Sequence, residues 1–433
     1  MQLRDYQREG LRQLLALGDS AILADEPGLG KTAVALSYCR VVDAASVLIV
    51  CPASLRINWR REMAMWWREE EPLLGVEVMS YEGLVKAGKD LPPYAVAIFD
   101  EAHYLKNPKA RRTKAALAVK ADRRLFLTGT PMVNRPMDLW PLLRAMGCPM
   151  SRTEYGKRYC GGTLTPVGFR RGKPVKWAWD FRGASHLEEL AEGLRRRYMV
   201  RRVKADVLAE LPAKTRSVIE LPNGRGDSKR LMALAARLVK SWDEYGAQAA
   251  DASPGLGPSE LAELTAARIE AGRKKLPMVI QYLRDIILEE EEKVVVFAWH
   301  REIIEALAEE FADLGAVRLY GGMSDREKDV AVQSFQDGPA RVFVGQILTA
   351  GTGLTLTAAS TVVFAEIDWV PGNVAQAEDR CHRIGQDSPV RVQVMALEGS
   401  VDLLVATALV AKADTINRAV RPTNGSPVTL AAQ

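Results

Sequence analysis

Cysteine and histidine are scarce in this 433-residue sequence: five cysteines, at positions 39, 51, 148, 160 and 381, and four histidines. No two cysteines form a C-x-x-C pair, which argues against a zinc module, and so few cannot staple a chain of this length as a disulfide framework. Reduced, intracellular surroundings are expected. His186, His300 and His382 are scattered, so the sequence offers no second metal cluster of the kind a nuclease would need. The opening residues Met1-Gln2-Leu3-Arg4-Asp5 contain no apolar signal region, and no apolar run is long enough to span a bilayer. Short tandem repeats and low-complexity tracts are absent as well. Charge of one sign does not dominate: 59 basic against 54 acidic residues leave a net charge of +5, so local placement must decide whether a polyanion is bound. What remains is 48% hydrophobic and 26% charged, the make-up of a soluble globular chain with room for two or three domains.

The most informative stretch is Ala24-Asp25-Glu26-Pro27-Gly28-Leu29-Gly30-Lys31-Thr32. A short apolar run leads into it and a helix-compatible run, 32–42, leaves it, the strand–loop–helix order of a phosphate-binding loop. Gly28 and Gly30 let backbone N–H groups curl round a polyphosphate, and a helix N-terminus adds partial positive charge. Gly28, Leu29, Gly30, Lys31 and Thr32 are therefore candidate nucleotide contacts. Lys31 is placed to reach the β- and γ-phosphates, and Thr32 to offer its hydroxyl to Mg²⁺. The general pattern has glycine six residues before the lysine, where this chain has Asp25. Upstream, an amphipathic helix is expected over 3–17; it carries Gln7, whose amide both donates and accepts and so suits an adenine edge.

Apolar strands then alternate with helical segments. Val47-Leu48-Ile49-Val50 is followed by a turn holding Ser54; Ala95-Val96-Ala97-Ile98-Phe99 ends in Asp100-Glu101-Ala102-His103; Leu125-Phe126-Leu127 ends in Thr128-Gly129-Thr130-Pro131. This alternation predicts a parallel sheet covered on both faces, with ligands at the carboxyl ends of its strands. There Asp100 is placed to hold Mg²⁺ and Glu101 to orient or deprotonate an attacking water. From 148 to 215 glycines, aromatics and basic residues cluster, including Arg170, Arg171, Lys173, Lys176, Trp177 and Trp179, and a strongly charged helix with Arg195-Arg196-Arg197 and Arg201-Arg202-Val203-Lys204 is expected. Such interleaving suits phosphate contact and stacking, and equally suits a solvated face over a small satellite core. Residues 225–275 read as helical and polar, with a flexible stretch at 252–258. Val294-Val295-Val296-Phe297-Ala298 opens a second series of buried strands without a phosphate loop. In it, Thr349-Ala350-Gly351-Thr352-Gly353-Leu354-Thr355 is a hydroxyl-bearing glycine turn, and Gln376-Ala377-Glu378-Asp379-Arg380-Cys381-His382-Arg383-Ile384-Gly385-Gln386 puts Arg380 and Arg383 on one helical face.

In this order, Asp25 to Thr32, Asp100 to His103, Thr128 to Pro131, Thr349 to Thr355 and Gln376 to Gln386 closely resemble the motifs of SWI/SNF-type ATPases of helicase superfamily two. Within that family the chain looks most like the annealing-helicase (HARP) subfamily, on Tyr159-Cys160-Gly161, Trp179-Asp180-Phe181, the run from Met199 to Leu208, Leu211-Pro212-Ala213-Lys214 and the run from Phe364 to Gly372. Pro27 and Thr352 depart from the commonest family residues, no HARP module precedes Gln7, and the tail after about 421 is short, so a bare motor is expected. The resemblance implies an α/β fold of two RecA-like lobes with parallel sheets and helical protrusions. The expected division is lobe one over 1–147, protrusion one over 148–215, a return to lobe one and linker over 216–224, protrusion two over 225–275, and lobe two over 276–433.

The resemblance also implies ATP hydrolysis with Mg²⁺ held at Thr32 and Asp100. Lys31, Asp100, Glu101, Arg380 and Arg383 would be catalytic. Gln7, Gly353 and Gln376 would help hold nucleotide; Ser54, Thr349, Thr355 and Trp369 would meet DNA. The implied activity is ATP-driven translocation on duplex DNA, sequence-nonspecific, with remodelling or annealing of branched DNA. The alternatives are a strand-separating helicase and an ATP-controlled clamp that recruits a nuclease or RNA polymerase. A monomer without membrane association is expected, cytoplasmic and nucleoid-associated in a bacterial or phage setting, with a protein partner supplying targeting.

Overall fold

A computed structural model describes residues 2–419, apart from 68–74, 89, 130, 133–134, 171–172, 209, 246–255, 291 and 352–353. The strands are β1 Ser20–Leu23, β2 Val47–Cys51, β3 Val76–Ser80, β4 Tyr94–Asp100, β5 Ala121–Leu127, β6 Thr163–Arg170, β7 Lys173–Asp180, β8 Met199–Val200, β9 Lys214–Leu221, β10 Val294–Ala298, β11 Val317–Leu319, β12 Val342–Gln346, β13 Thr361–Phe364 and β14 Val390–Leu397. Among the described residues they form two six-stranded sheets, ordered β3-β2-β4-β5-β1-β8 and β11-β12-β10-β13-β14-β9, and one two-stranded sheet, β6-β7. Every pairing in the two large sheets is parallel.

Continuous apolar runs in the central strands follow from burial on both faces. In lobe one, Leu48, Val50, Phe99 and Phe126 face one core layer, while Ile49, Ile98, Leu125 and Leu127 face the other with Val34 and Trp59. Lobe two repeats the arrangement: Phe297, Phe343 and Phe364 lie in one layer, Val294, Val296 and Val344 in the other. The expected two-lobed parallel α/β architecture is thus present.

Several expected boundaries need correction. Met199 and Val200, assigned to the first protrusion, form β8 and pair with Ile22 and Leu23 of β1, completing lobe one's sheet. The segment 216–224 does not return to lobe one: β9 runs parallel to β14 along its whole length and edges the second sheet. The boundary at 275 falls inside a helix, Pro258–Glu290, which continues through Pro277. Leu234, Leu238 and Trp242 of the helix Lys229–Tyr245 and Leu264 of the next helix belong to lobe two's core. The first protrusion is not all helical, since the helices Arg152–Tyr159 and Leu187–Arg197 flank the antiparallel β6–β7 hairpin. Arg201, Arg202 and Val203, expected in a charged helix, precede the short helix Lys204–Val207 and are only half-buried to solvent. Among the described residues no helix is long and apolar enough to cross a membrane.

One buried pair pins the long helix to lobe two. Lys275, 1% exposed, donates from Nζ to Asp402 Oδ2 at 2.6 Å and to the Met395 carbonyl at 2.6 Å. Removing one partner leaves a buried charge uncompensated. Asp402→Ala should therefore cost about 3 kcal/mol in lobe-two stability, and the double change Lys275→Met, Asp402→Leu should recover most of it, as read by chemical denaturation.

Candidate active site at the cleft between the lobes

The loop from 24 to 30 joins β1 to the helix Lys31–Val41, with Gly30 as that helix's N-cap in the left-handed region, φ 76°. Two close approaches require its glycines. A Cβ at Gly30 would stand 2.4 Å from Gln7 Nε2, and one at Gly28, φ 88°, would stand 2.7 Å from Arg383 Cβ of the other lobe. Gln7 is buried; its Nε2 donates to the Leu29 carbonyl at 3.1 Å and its Oε1 accepts from Arg4 N–H at 2.9 Å. Lys31 Nζ is folded onto the loop's own carbonyls, 2.8 Å from Asp25 O and 3.4 Å from Glu26 O. Burial lowers the Lys31 pKa, against the pull of Glu101, Asp25 and Asp100.

Asp100 ends β4 and Glu101 follows with φ 49°, a left-handed backbone that a non-glycine residue adopts at a cost. Asp100 Oδ2 accepts from Trp59 Nε1 at 2.8 Å, and Oδ1 from Glu101 N–H at 2.9 Å. Burial, then the neighbouring Glu101, raises the Asp100 pKa. Burial opposes ionisation of Glu101 too, but His103, Lys31 and Arg380 outweigh it and hold that carboxyl low. His103 Nδ1 lies 3.2 Å from Glu101 Oε2 without hydrogen-bond alignment, so Oε2 is a buried acceptor with no partner. Glu101 is thus the ionised member of the pair, with Oε2 beside His103 and unfilled as a hydrogen-bond acceptor.

Lobe two brings Arg380 and Arg383 to the same place. Both guanidiniums donate to backbone carbonyls: Arg380 Nε to Gln376 O at 3.0 Å, and Arg383 NH1 to Leu354 O at 3.0 Å. Burial and the repulsion from Arg380 press the Arg383 pKa down to about 10, and burial lowers Arg380 against the pull of Glu101. A buried cation, Arg380, and a half-buried one, Arg383, therefore lie beside a glycine loop. Gln376 lies one turn before Arg380 and meets it through its carbonyl; Gly353 falls outside the described residues.

The segment between the lobes supplies residues that the sequence did not single out individually. Asp25, fully buried, accepts from Arg202 backbone N–H and Nε, both at 2.9 Å, and pairs with Arg202 NH2. Arg201 NH1 donates to Ala24 O at 3.0 Å. Lys204 N–H donates to Glu26 Oε2 at 2.7 Å, while Lys204 Nζ crosses to Asp379 Oδ1 at 2.8 Å and His382 O at 2.6 Å. Lys214 lies 3.0 Å from Glu378 Oε2 and 3.2 Å from Asp379 Oδ1, and Arg216 grips Glu378 with NH2 at 2.6 Å and Nε at 2.9 Å. One strap thus ties the phosphate loop to the two acids just before Arg380. The signal for it was complementary charge, with Asp25, Glu378 and Asp379 on one side and five basic residues on the other.

Ser54, Thr349 and Thr355 line one cavity of about 350 Å³ between the helices Arg56–Trp66 and Asp325–Gln336. Arg56 NH2 pairs with Asp325 across it at 3.0 Å, and Arg61 pairs with Asp329. Trp369 is not among the cavity's lining residues; half-buried, it packs on lobe two's core beneath Arg268, which also covers Trp299 at 4.2 Å.

A phosphate-loop-like turn on one parallel-sheet lobe, met across a cleft by an arginine pair from a second, defines a two-lobed parallel α/β core. The chain belongs to the SNF2-related family: the SNF2-related domain model matches residues 6–89 and 73–229, and the helicase conserved C-terminal domain model matches residues 275–385. It is 34% identical over 444 residues to the mouse DNA annealing helicase and endonuclease ZRANB3, covering 95% of this chain and 40% of that protein. It is 31% identical over 425 residues to the Xenopus tropicalis SWI/SNF-related matrix-associated actin-dependent regulator of chromatin subfamily A-like protein 1, covering 92% and 43%. The chain therefore spans about two fifths of the length of these relatives. Among solved structures it is similar to the Sulfolobus solfataricus SWI2/SNF2 ATPase core in complex with dsDNA, with TM-score 0.42, 22% identity, and 97% and 93% of the two chains covered.

The strap gives a pH-dependent expectation. Burial raises the Asp379 pKa, but Lys204 and Lys214 outweigh it and hold that carboxyl far below its ordinary value. A carboxylate depressed in the folded state contributes stability above its unfolded pKa of about 4, and loses it as pH falls toward the folded value. Asp379→Asn should accordingly be destabilised most above about pH 5, and the deficit against wild type should shrink below about pH 4 in denaturant titrations across pH.

Proposed function

We propose that this chain is an ATP hydrolase that translocates on double-stranded DNA and remodels or anneals branched DNA. The observation that carries the reading is the arginine pair, Arg380 buried and Arg383 half-buried, against the phosphate loop: two guanidiniums whose hydrogen-bond acceptors among the described residues are backbone carbonyls suit a polyanion, and the loop beside them is built for phosphate. Support for DNA comes from the family and from the printed names of the relatives, one a DNA annealing helicase. A cytoplasmic location and a partner that supplies targeting belong to the same reading.

In this reading Lys31 exchanges the carbonyls of Asp25 and Glu26 for β- and γ-phosphate oxygens, and Gln7 meets the adenine edge beside Leu29. Glu101, ionised and with Oε2 unfilled as an acceptor, orients the attacking water and takes its proton. The site fits Mg²⁺, because Asp100 is fixed by two donors and still has acceptor capacity on both oxygens. Thr32 and Asp100 would hold the ion, whose charge would offset that of the phosphates. Arg380 and Arg383 stabilise the charge of the transferring phosphoryl group, with Gln376 and Gly353 at the lobe-two edge of the nucleotide. Because the arginines come from the second lobe, the site is complete only when the cleft is closed, and turnover moves one lobe against the other. Ser54, Thr349 and Thr355 meet the DNA backbone where both lobes border one cavity, and Trp369 couples that track to the cleft.

The test is the ATPase rate without nucleic acid and with single strand, duplex, forked DNA or RNA. Duplex and forked DNA should stimulate most, and binding should weaken steeply with salt. Failure of any DNA to stimulate hydrolysis would refute the reading. Lys31→Ala should abolish turnover. Glu101→Gln should bind ATP without hydrolysing it. Arg383→Ala should lose about 10³-fold in rate while lobe one still binds nucleotide. A normal rate in any of the three removes that residue from its role.

A further inference from the structure

Two ion pairs bridge the lobes at the cavity lined by Ser54, Thr349 and Thr355, and the nucleotide chemistry uses neither. Ser54 lies in the single turn Ala53–Leu55, which runs straight into the lobe-one helix Arg56–Trp66. Trp59, on that helix, is buried in lobe one's core and donates to Asp100. Arg56 and Arg61 reach across to lobe two: Arg56 NH2 donates to Asp325 Oδ2 at 3.0 Å, and Arg61 pairs with Asp329. Both aspartates belong to the helix Asp325–Gln336, which Phe335 anchors in lobe two's core.

The two sides of these pairs suit their own helices unequally. Arg56 opens its helix, where the backbone carries partial positive charge, and no acid stands in that first turn. Asp325 and Glu327 stand in the first turn of theirs, where the same partial charge favours carboxylates, and Ser324 caps it. The arginines therefore depend on an anion more than the aspartates depend on the arginines. The four side chains are between 23% and 42% exposed, so each pair contributes little and exchanges readily.

The cavity between the helices is itself acidic: Glu62, Asp325, Asp329 and Asp337 line it against Arg61 and Lys328. A phosphodiester backbone is repelled from Ser54 and Thr349 while those carboxylates face it and hold the arginines. Once it displaces them, each phosphate offers a guanidinium two-pronged, charge-assisted hydrogen bonds, and the duplex releases counterions. We propose that Arg56 and Arg61 bind phosphates of duplex DNA and that Asp325 and Asp329 occupy them in the free protein. DNA binding then exchanges two inter-lobe ion pairs for two phosphate contacts. This deepens the DNA-motor reading, on which it rests: the exchange that seats the duplex also frees the two helices from each other at this edge of the cleft.

The experiment is a mutant cycle on the full chain, read as affinity for a labelled blunt duplex by fluorescence anisotropy, without nucleotide, across a salt series. Wild type is compared with Asp325→Asn plus Asp329→Asn, with Arg56→Gln plus Arg61→Gln, and with all four changes together. Neutralising the aspartates should tighten duplex binding about fivefold. Removing the arginines should weaken it about tenfold and lower the salt slope by about two, one for each lost phosphate contact. Without the arginines, neutralising the aspartates should bring no gain, because nothing is left for them to occupy. An aspartate variant no tighter than wild type overturns the proposal and makes the pairs struts between the lobes. So does an unchanged salt slope in the arginine variant, or an aspartate gain that persists without the arginines, which is an effect of net charge alone. Absence of duplex binding by wild type overturns it as well. Duplex-stimulated hydrolysis by wild type is measured alongside. If the cycle holds and no DNA stimulates hydrolysis, the motor reading fails and the exchange stands; if duplex stimulates hydrolysis and the cycle fails, only the exchange is wrong.

Discussion

The buried Arg380 and the half-buried Arg383 repel each other, and the carbonyls of Gln376 and Leu354 do not cancel their charge. The cleft between the lobes is organised around that imbalance. Lobe one contributes a glycine loop and an ammonium resting on that loop's own backbone. Glu101, held ionised on the lobe-one side, keeps one oxygen without a hydrogen-bond donor. The three cations are held by neutral backbone carbonyls, acceptors that a polyphosphate entering between them would replace with charged oxygens.

The strap from 201 to 216 explains how such a charge arrangement is held. The carboxylate of Asp25, fully buried in the loop, is neutralised by Arg202, and Lys204 spans from Glu26 in the loop to Asp379 before the arginines. Isolated surface pairs contribute little, whereas here each charge is buried and breaking one leaves its partner uncompensated. The network therefore fixes where Arg380 and Arg383 sit relative to the loop.

Much of this was legible in the sequence because the signals are local. A glycine loop before a helix, two acids after an apolar strand and an Arg-x-x-Arg spacing each announce their geometry within ten residues. The two sheets were legible from uninterrupted runs such as Val294 to Ala298. The boundaries were less so: Lys214 to Leu221 opens with four polar residues, and nothing local says that it forms a strand edging the second sheet. The strap was hidden for the same reason, since Arg202 reads as one member of a charged helix until Asp25 is found beside it. Trp369 shows the converse: its packing beneath Arg268 on lobe two's core depends on Arg268, which is distant in sequence.

The most direct test of the account is thermal denaturation of the full chain, with and without a non-hydrolysable ATP analogue and Mg²⁺, for wild type and for the double variant Arg380→Gln, Arg383→Gln. If the arginines are held in wait for an anion, the variant without nucleotide should melt at or above the wild-type temperature, because a repulsive pair has been removed. Nucleotide should then raise the melting temperature of wild type by several degrees more than that of the variant. A variant that melts lower without nucleotide, and gains as much from nucleotide as wild type does, would show that the two arginines serve the fold and not a bound polyphosphate.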